Sequence, residues 1–299
     1  MVMLVAAAAL MSNLVYAYVF IPGPGLYVSL SEPPSGWTIT VISGVNFYDA
    51  NANGQQDEGE AGIGGSTILL YKWMQDDEGN GDWTLLQKAK TDDNGHYIFE
   101  VSQGIYKVAE EQPVTITVLE EWVQTAPEGG CHVVYATWGE TYGGNDFGNV
   151  HLEPATGGKT MGFWGNKNGQ ALITSDDVAS LNGLVLYTPD GWMYPSFSSD
   201  LATAKTQIKN YLRNATAVNM PWMLSAQLIA TKLNVLHGFL SNSTIVYVES
   251  SDTIITIGEI MKYAYEALQG TDRDAQEYWK NLLDWVNNNW LPFVSTDPP

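Results

Sequence analysis

The chain is short of the residues that build catalytic and redox centres. Its one cysteine, Cys131, cannot form an intrachain disulfide, so no disulfide framework holds the fold. The four histidines, His96, His132, His151 and His237, are scattered without metal spacing, and the Cys131-His132 pair reads as structural. No G-x-S-x-G, H-E-x-x-H, phosphate loop or dinucleotide fingerprint occurs. Carboxylates are plentiful, but nothing in their spacing assigns a glycosidase acid and base, so no enzyme is expected. Positive charge is scarce: 13 Lys and Arg stand against 33 Asp and Glu, a net charge of −20. That argues against nucleic-acid binding, which needs cations to meet phosphates. Long apolar runs are confined to residues 1–16, a stretch too short to span a bilayer comfortably. It resembles the apolar core of a secretory signal, with Ala17 as the small residue at the cut, although the basic n-region is missing. Residues 1–17 are therefore read as a cleaved leader, with a retained N-terminal anchor or a pilin-like helix as the alternative, for which the stretch is rather short. The mature chain is expected to be secreted or held at the cell surface, with no stable membrane span.

What is present is apolar enough to fold. Hydrophobic residues make up 45% of 299, enough for two domains with sizeable cores. The acidity is uneven. Residues 1–155 carry 20 acidic and 4 basic side chains, residues 156–299 carry 13 and 9. Within the acidic half, residues 49–60 read D-A-N-A-N-G-Q-Q-D-E-G-E. Oxygen-bearing side chains fall at positions 1, 3, 5, 9 and 12, namely Asp49, Asn51, Asn53, Asp57 and Glu60. Gly54 sits at position 6, and Gln55 at position 7 offers its backbone carbonyl. This is the ligand spacing of a twelve-residue calcium loop, in which a hard cation gathers six to eight oxygens around a glycine-permitted turn. The bland alternative is a solvated acidic turn between strands. The flanks, 38–48 and 66–71, are β-branched and aromatic, so the loop joins two strands and not the helix pair of an EF-hand.

Further strand candidates follow at 43–48, 66–73, 83–88, 96–101, 104–110, 114–119 and 133–135, punctuated by Asn80-Gly81, Asp93-Asn94-Gly95 and Gln103-Gly104. Short strands with regular turns and no helical stretch predict an antiparallel sandwich. The runs G-V-N-F-Y-D-A-N-A-N-G-Q-Q-D-E-G-E, T-D-D-N-G-H-Y-I-F, G-I-Y-K-V-A-E and N-D-F-G-N resemble the B-type calcium-binding domain of staphylococcal serine-aspartate repeat adhesins, an SdrD B-like, Cna-B-like (prealbumin-type) sandwich. The resemblance covers about residues 43–150. It implies a Ca2+-stiffened, non-enzymatic stalk module whose ligands are the loop residues above, with Asp92 or Asp93 as a candidate further contact. Some Cna-B domains cross-link a first-strand Lys to a last-strand Asn. Asn149 stands in the second place, but Val45, Asn46 and Phe47 offer no Lys, so no isopeptide bond is expected. A second acidic cluster, residues 76–82, has oxygens at positions 1, 3 and 5 but Gln87 at position 12. It reads equally as a partial site or as an acidic hairpin tip.

Around this module the expected organisation is a leader (1–17), an extended Pro- and Gly-rich segment (18–42), the sandwich (43–150), a linker (151–159), a mainly α-helical domain (160–293) and a disordered tail (294–299). Helices are signalled by Asp200 before Leu201, by Pro221, by the Thr256–Glu259 capping box with Gly270 as stop, and by Thr271-Asp272. Four or five helices are expected, the last with Trp279, Leu282, Leu283, Val286 and Trp290 turned inward. The opening T-x-G-F-W-x-N run, Thr160 to Asn166, resembles a segment of unassigned domains of secreted proteins. Phe163 and Trp164 are read as helix packing, with an aromatic ligand platform as the alternative. The sequons at Asn214 and Asn242 offer glycosylation if the host glycosylates. The function expected is a calcium-stabilised surface or extracellular structural or adhesion protein, with an unknown surface protein or glycan as ligand. The alternatives are a carbohydrate-binding module, or a filament subunit in which residues 18–31 add to a neighbour's sheet edge.

Overall fold

A computed structural model describes residues 39–111 and 122–296. The leader, the extended segment up to residue 38, the strand expected at 114–119 and the tail from 297 lie outside those residues.

The first part is two sheets face to face. Turn residues divide it into β1 (Thr40–Tyr48), β2 (Thr67–Gln75), β3 (Gly81–Lys90), β4 (His96–Val101), β5 (Gly104–Glu110), β6 (Trp122–Ala126), β7 (Cys131–Ala136), β8 (Thr141–Tyr142) and β9 (Phe147–Glu153). One sheet has the order β3-β2-β5-β7 and is antiparallel throughout. The other is built on β1, which pairs antiparallel with β4 but parallel with β8 and β9, while β6 pairs antiparallel with β9. The sandwich is thus mostly, not wholly, antiparallel. Side chains alternate across each strand, and the inward set, Ile42, Ile68, Leu70, Tyr97, Phe99, Tyr106, Val108 and Phe147, closes the core.

The second part is helical with a small sheet. The helices are α1 (Met161–Trp164), α2 (Lys167–Leu172), α3 (Ser175–Leu181), α4 (Leu201–Asn214), α5 (Met220–Leu236), α6 (Ile257–Gln269) and α7 (Arg273–Asn287). The helices α1 to α3, which no start or stop signal marked, are short and held by side-chain caps: Thr160, Asn166, and a Thr174–Asp177 capping box. The helix α5 is the axis. Ala226, Ile229, Ala230 and Leu233 face one apolar cluster with Trp164, while Leu224 and Leu228 face another with α6 and α7. Between those faces runs a polar stripe. Asn234 accepts from Lys159 N and Trp164 Nε1 and donates to Lys159 O and Asn287 Oδ1. Trp164 is fully buried, packed against Phe163 and Phe239, which is the packing role expected of it.

Three expectations change. Trp290 is 66% exposed, not inward. Asn289 adopts φ 58, Asn289 N bonds Val286 O and Trp290 N bonds Trp285 O, a Schellman stop that swings Trp290 off the buried face. The tail does not begin at 294: β12 (Phe293–Val294) is a strand, and Val294 and Ser295 are buried. The strand β9 runs to Glu153, past the expected boundary at 150. There it pairs with β12, which pairs with β10 (Ile245–Val248) and through it with β11 (Thr253–Thr256). One sheet, β11-β10-β12-β9-β1-β4, therefore runs from the helical part into the sandwich. No described helix is long and apolar enough to cross a membrane.

Candidate metal centre

The loop between β1 and β2 is folded by its own oxygens. Asp49 N donates to Asn149 O, which ends the pairing of β1 with β9. The Asp49 side chain is fully buried, and its carboxylate turns back into the loop: Oδ1 accepts from Asn53 N at 3.0 Å and Oδ2 from Gly54 N at 2.8 Å. A buried carboxylate needs such donors, because desolvation otherwise disfavours its charge. Asn51 Oδ1 accepts from Asn53 N and Asn53 Oδ1 from Gln55 N, two successive Asx turns. Ala52 and Gly54 adopt φ 56 and φ 76, the left-handed steps that let these turns follow one another.

The far side of the loop closes on the near side. The amide nitrogens of Asn51 and Asn53 both donate to Asp57 Oδ2 at 2.7 Å. Glu60 Oε2 accepts from Asp57 N at 2.9 Å, and Glu60 N donates to Asp57 O. Asn51, Asn53 and Asp57 thus meet at one oxygen, with Asp49 and Glu60 bracing the loop from its two ends. Gln55 is exposed, and its backbone N–H is held by Asn53. Among the described residues no three His, Cys, Asp or Glu side chains stand together at metal-binding separation. The convergence runs through the two asparagines.

The donor set is chemically that of a hard cation: three carboxylates, two amide oxygens and a backbone carbonyl. The two amide N–H groups on Asp57 supply the positive electrostatic partner of that carboxylate. The terminal torsion of Asn is broad and roughly two-fold. Each asparagine oxygen keeps a second lone pair beside the backbone N–H it accepts. A smaller turn that takes the N–H off Asp57 would bring that oxygen to a cation with the Asx turns kept, so the residues fit the ion that the spacing implies. The neighbouring candidates differ. Asp92 Oδ1 accepts from Asn94 N and His96 N within its own turn, while Asp93 is exposed. Gly62 packs that turn against the loop's exit; an added Cβ would lie 1.8 Å from Asn94 O. Asp76 is engaged by Asn80 and Glu78 at an exposed hairpin tip, and the Asn80 side-chain bond, first among several, holds its carboxyl below the usual range.

Beside the loop lies a polar triangle that sequence reasoning did not assemble. Glu110, on β5, accepts from Asn46 Nδ2 on β1 at 2.6 Å and from Asn149 Nδ2 on β9 at 2.9 Å. Asn149 Nδ2 also donates to Asn46 Oδ1 at 2.7 Å. The two bonds to Glu110 tie the two sheets together, and the third joins β9 to β1 within one sheet. Burial pushes the Glu110 carboxyl up, against the opposing pull of the Asn149 and Asn46 bonds. The sequence named Asn46 and Asn149 only as a position without lysine and its opposite number; Glu110 carried no signal.

The loop, its flanking strands and the 92–95 turn all fall in the segment that a known family describes. Residues 40–127 match the family model of the SdrD B-like domain. Over 72 residues the chain is 38% identical to the Bone sialoprotein-binding protein of Staphylococcus aureus (strain MRSA252) and to Serine-aspartate repeat-containing protein E of Staphylococcus aureus (strain MSSA476). Each alignment takes in 24% of this chain and 6% of the relative's length. Among solved structures, the minor pilin GBS52 of Streptococcus agalactiae aligns over 38% of this chain and 46% of its own, at 14% identity and TM-score 0.24. The shaft pilin spaA of Lactobacillus rhamnosus GG aligns over 40% and 53%, at 10% identity and TM-score 0.25. The SdrD B-like segment therefore holds the whole 49–60 loop, while the helical part lies outside the matched residues.

Proposed function

We propose that this chain is a calcium-stabilised, non-enzymatic structural or adhesion protein of a cell surface or extracellular space. In this reading a sandwich module (43–150) is stiffened by Ca2+ held by Asp49, Asn51, Asn53, Asp57, Glu60 and the Gln55 carbonyl, and a helical domain (160–293) is joined to it. The observation that carries it is the loop itself, an all-oxygen set already folded around a buried Asp49 inside an SdrD B-like match. The names of the curated relatives, a bone sialoprotein-binding protein and a serine-aspartate repeat protein, support a surface role.

The test is thermal unfolding of the purified protein in calcium and in EDTA. At calcium about 100 times its dissociation constant, binding to the folded state alone adds about 2.7 kcal/mol. The expected result is a clear upward shift of the melt that Glu60→Ala abolishes. No shift in the native chain removes calcium from the account.

A glycan-binding reading has one observation in its favour. Tyr71, Trp73 and Trp83 lie together on the outer face of the β3-β2-β5-β7 sheet, with Lys107 Nζ 4.5 Å from the Tyr71 ring centroid. Aromatic faces of this kind stack on sugars and cations. A glycan array on native protein and on Trp73→Ala decides it: hits lost in the variant support it, no hits dispose of it.

A further inference from the structure

The 49–60 loop stands at the point where the sandwich hands the sheet over to the helical part. Asp49 N donates to Asn149 O and Ser295 N to His151 O. Carbonyls two residues apart on a strand face the same edge, so β1 and the C-terminal strand β12 lie end to end along one edge of β9. The loop leaves the sheet in the gap between them. Contacts between described residues cross that gap. Tyr48, the last residue of β1, donates its hydroxyl to Ser295 O. Ala52, inside the loop, packs into the small apolar cluster of Val150, Leu152 and Val294, which Ile245, Tyr247 and Ile254 of the helical part also join.

The other link between the two parts is already fixed. Gly158 N donates to Asn289 Oδ1, and Lys159 is held at both its N–H and C=O by Asn234. Among the described residues the sheet continues between the two parts through the β9–β12 pairing, where the loop sits. The loop also holds the residues that a cation would turn. Ala52 lies between Asn51 and Asn53, the two residues whose amides turn either to Asp57 or, with their oxygens, to a cation. Its backbone is left-handed, at φ 56, and its N–H donates to Asp49 O.

We propose that cation capture by the loop, through Ala52 and Tyr48, locks the joint between the sandwich and the helical part, so that calcium controls how rigidly the two are held. This rests on the calcium reading above. A cation that fixes Asn51 and Asn53 fixes Ala52 against Val150, Leu152 and Val294 and suppresses opening of the β9–β12 pairs. Without it the amides exchange partners and the joint loosens.

The experiment is amide hydrogen exchange of the full chain in calcium chloride and in EDTA, read in peptides covering 49–60 and 292–296, with calorimetry reporting calcium uptake. With calcium well above its dissociation constant, exchange is expected to slow by roughly ten-fold or more in both peptides. In Tyr48→Phe with Ala52→Gly, calorimetry is expected to keep its signal and peptide 49–60 its response, while 292–296 loses most of its own. Protection of 49–60 with no change at 292–296 in the native chain overturns the coupling and leaves the calcium site standing. Calcium uptake absent, with neither peptide protected, overturns the calcium reading and this inference with it. A double variant that keeps the full response at 292–296 overturns the proposed route.

Discussion

Replacing Glu110 with alanine tests whether the triangle it forms with Asn46 and Asn149 ties the two sheets. Asn46 is fully buried and Asn149 nearly so. In the variant Asn149 Nδ2 keeps Asn46 Oδ1 as an acceptor, but Asn46 Nδ2 loses the partner it has at 2.6 Å. One orphaned buried amide costs about 1–3 kcal/mol, and the buried part of the Glu110 stem adds about 1 kcal/mol. The expected loss is about 2–4 kcal/mol. Its pH dependence follows from linkage. The folded-state pKa of Glu110 is raised, chiefly by burial, so the stability this group contributes is full below its unfolded pKa and is lost as pH rises through the folded one. The penalty for Glu110→Ala is therefore larger near pH 4 than near pH 8. Urea unfolding of both proteins at the two pH values measures it, and taking differences cancels the other carboxylates. A penalty below about 0.5 kcal/mol, or one that grows with pH, refutes the reasoning.

Two further substitutions probe the site's packing and the helical core. Gly62→Ala places a Cβ 1.8 Å from Asn94 O, so the loop's exit and the 92–95 turn cannot both keep their places, and a loss above about 3 kcal/mol is expected in urea unfolding. Gly59→Ala meets nothing within 4 Å and carries only the strain of φ 100, about 1 kcal/mol; equal losses at the two sites would contradict the close-packing argument. Asn234→Ala leaves Lys159 and Trp164 Nε1 without their shared partner and is expected to cost about 3 kcal/mol or more by denaturant unfolding, and a cost under about 1 kcal/mol would show the stripe to be dispensable.

How much was legible follows from what local sequence encodes. The strands β1, β2, β4 and β5 show at their turns and in their β-branched runs. The helices α4 to α7 show because Asp200, Pro221, Thr256, Gly270 and Asp272 mark their ends. The strand β9 was hidden because both its faces are covered, Phe147 in the sandwich core and Val150 and Leu152 in the cluster with Val294, Ile245 and Ile254, so successive residues Phe147 to Val150 are buried with no alternation. Helices α1 and α2 are too short to show a period and exist through their caps. The loop's oxygen spacing was readable, because it is written within twelve consecutive residues. The burial of Asp49 was not, and neither was the meeting of Asn46, Glu110 and Asn149, whose partners are 64, 39 and 103 positions apart. Long-range polar pairs leave no periodic trace. Trp290 was misread because a Schellman turn breaks the helical period just before it.

The central claim is that the oxygens of residues 49–60 hold a divalent ion. A crystal structure of the protein grown in calcium chloride, with anomalous data, measures that directly. The account predicts one anomalous peak within about 2.3–2.6 Å of oxygens from Asp49, Asn51, Asn53, Asp57 and Glu60 and of the Gln55 carbonyl, with the two asparagine amides turned away from Asp57. A loop without a peak, in which Asn51 and Asn53 still donate to Asp57 Oδ2, would contradict it.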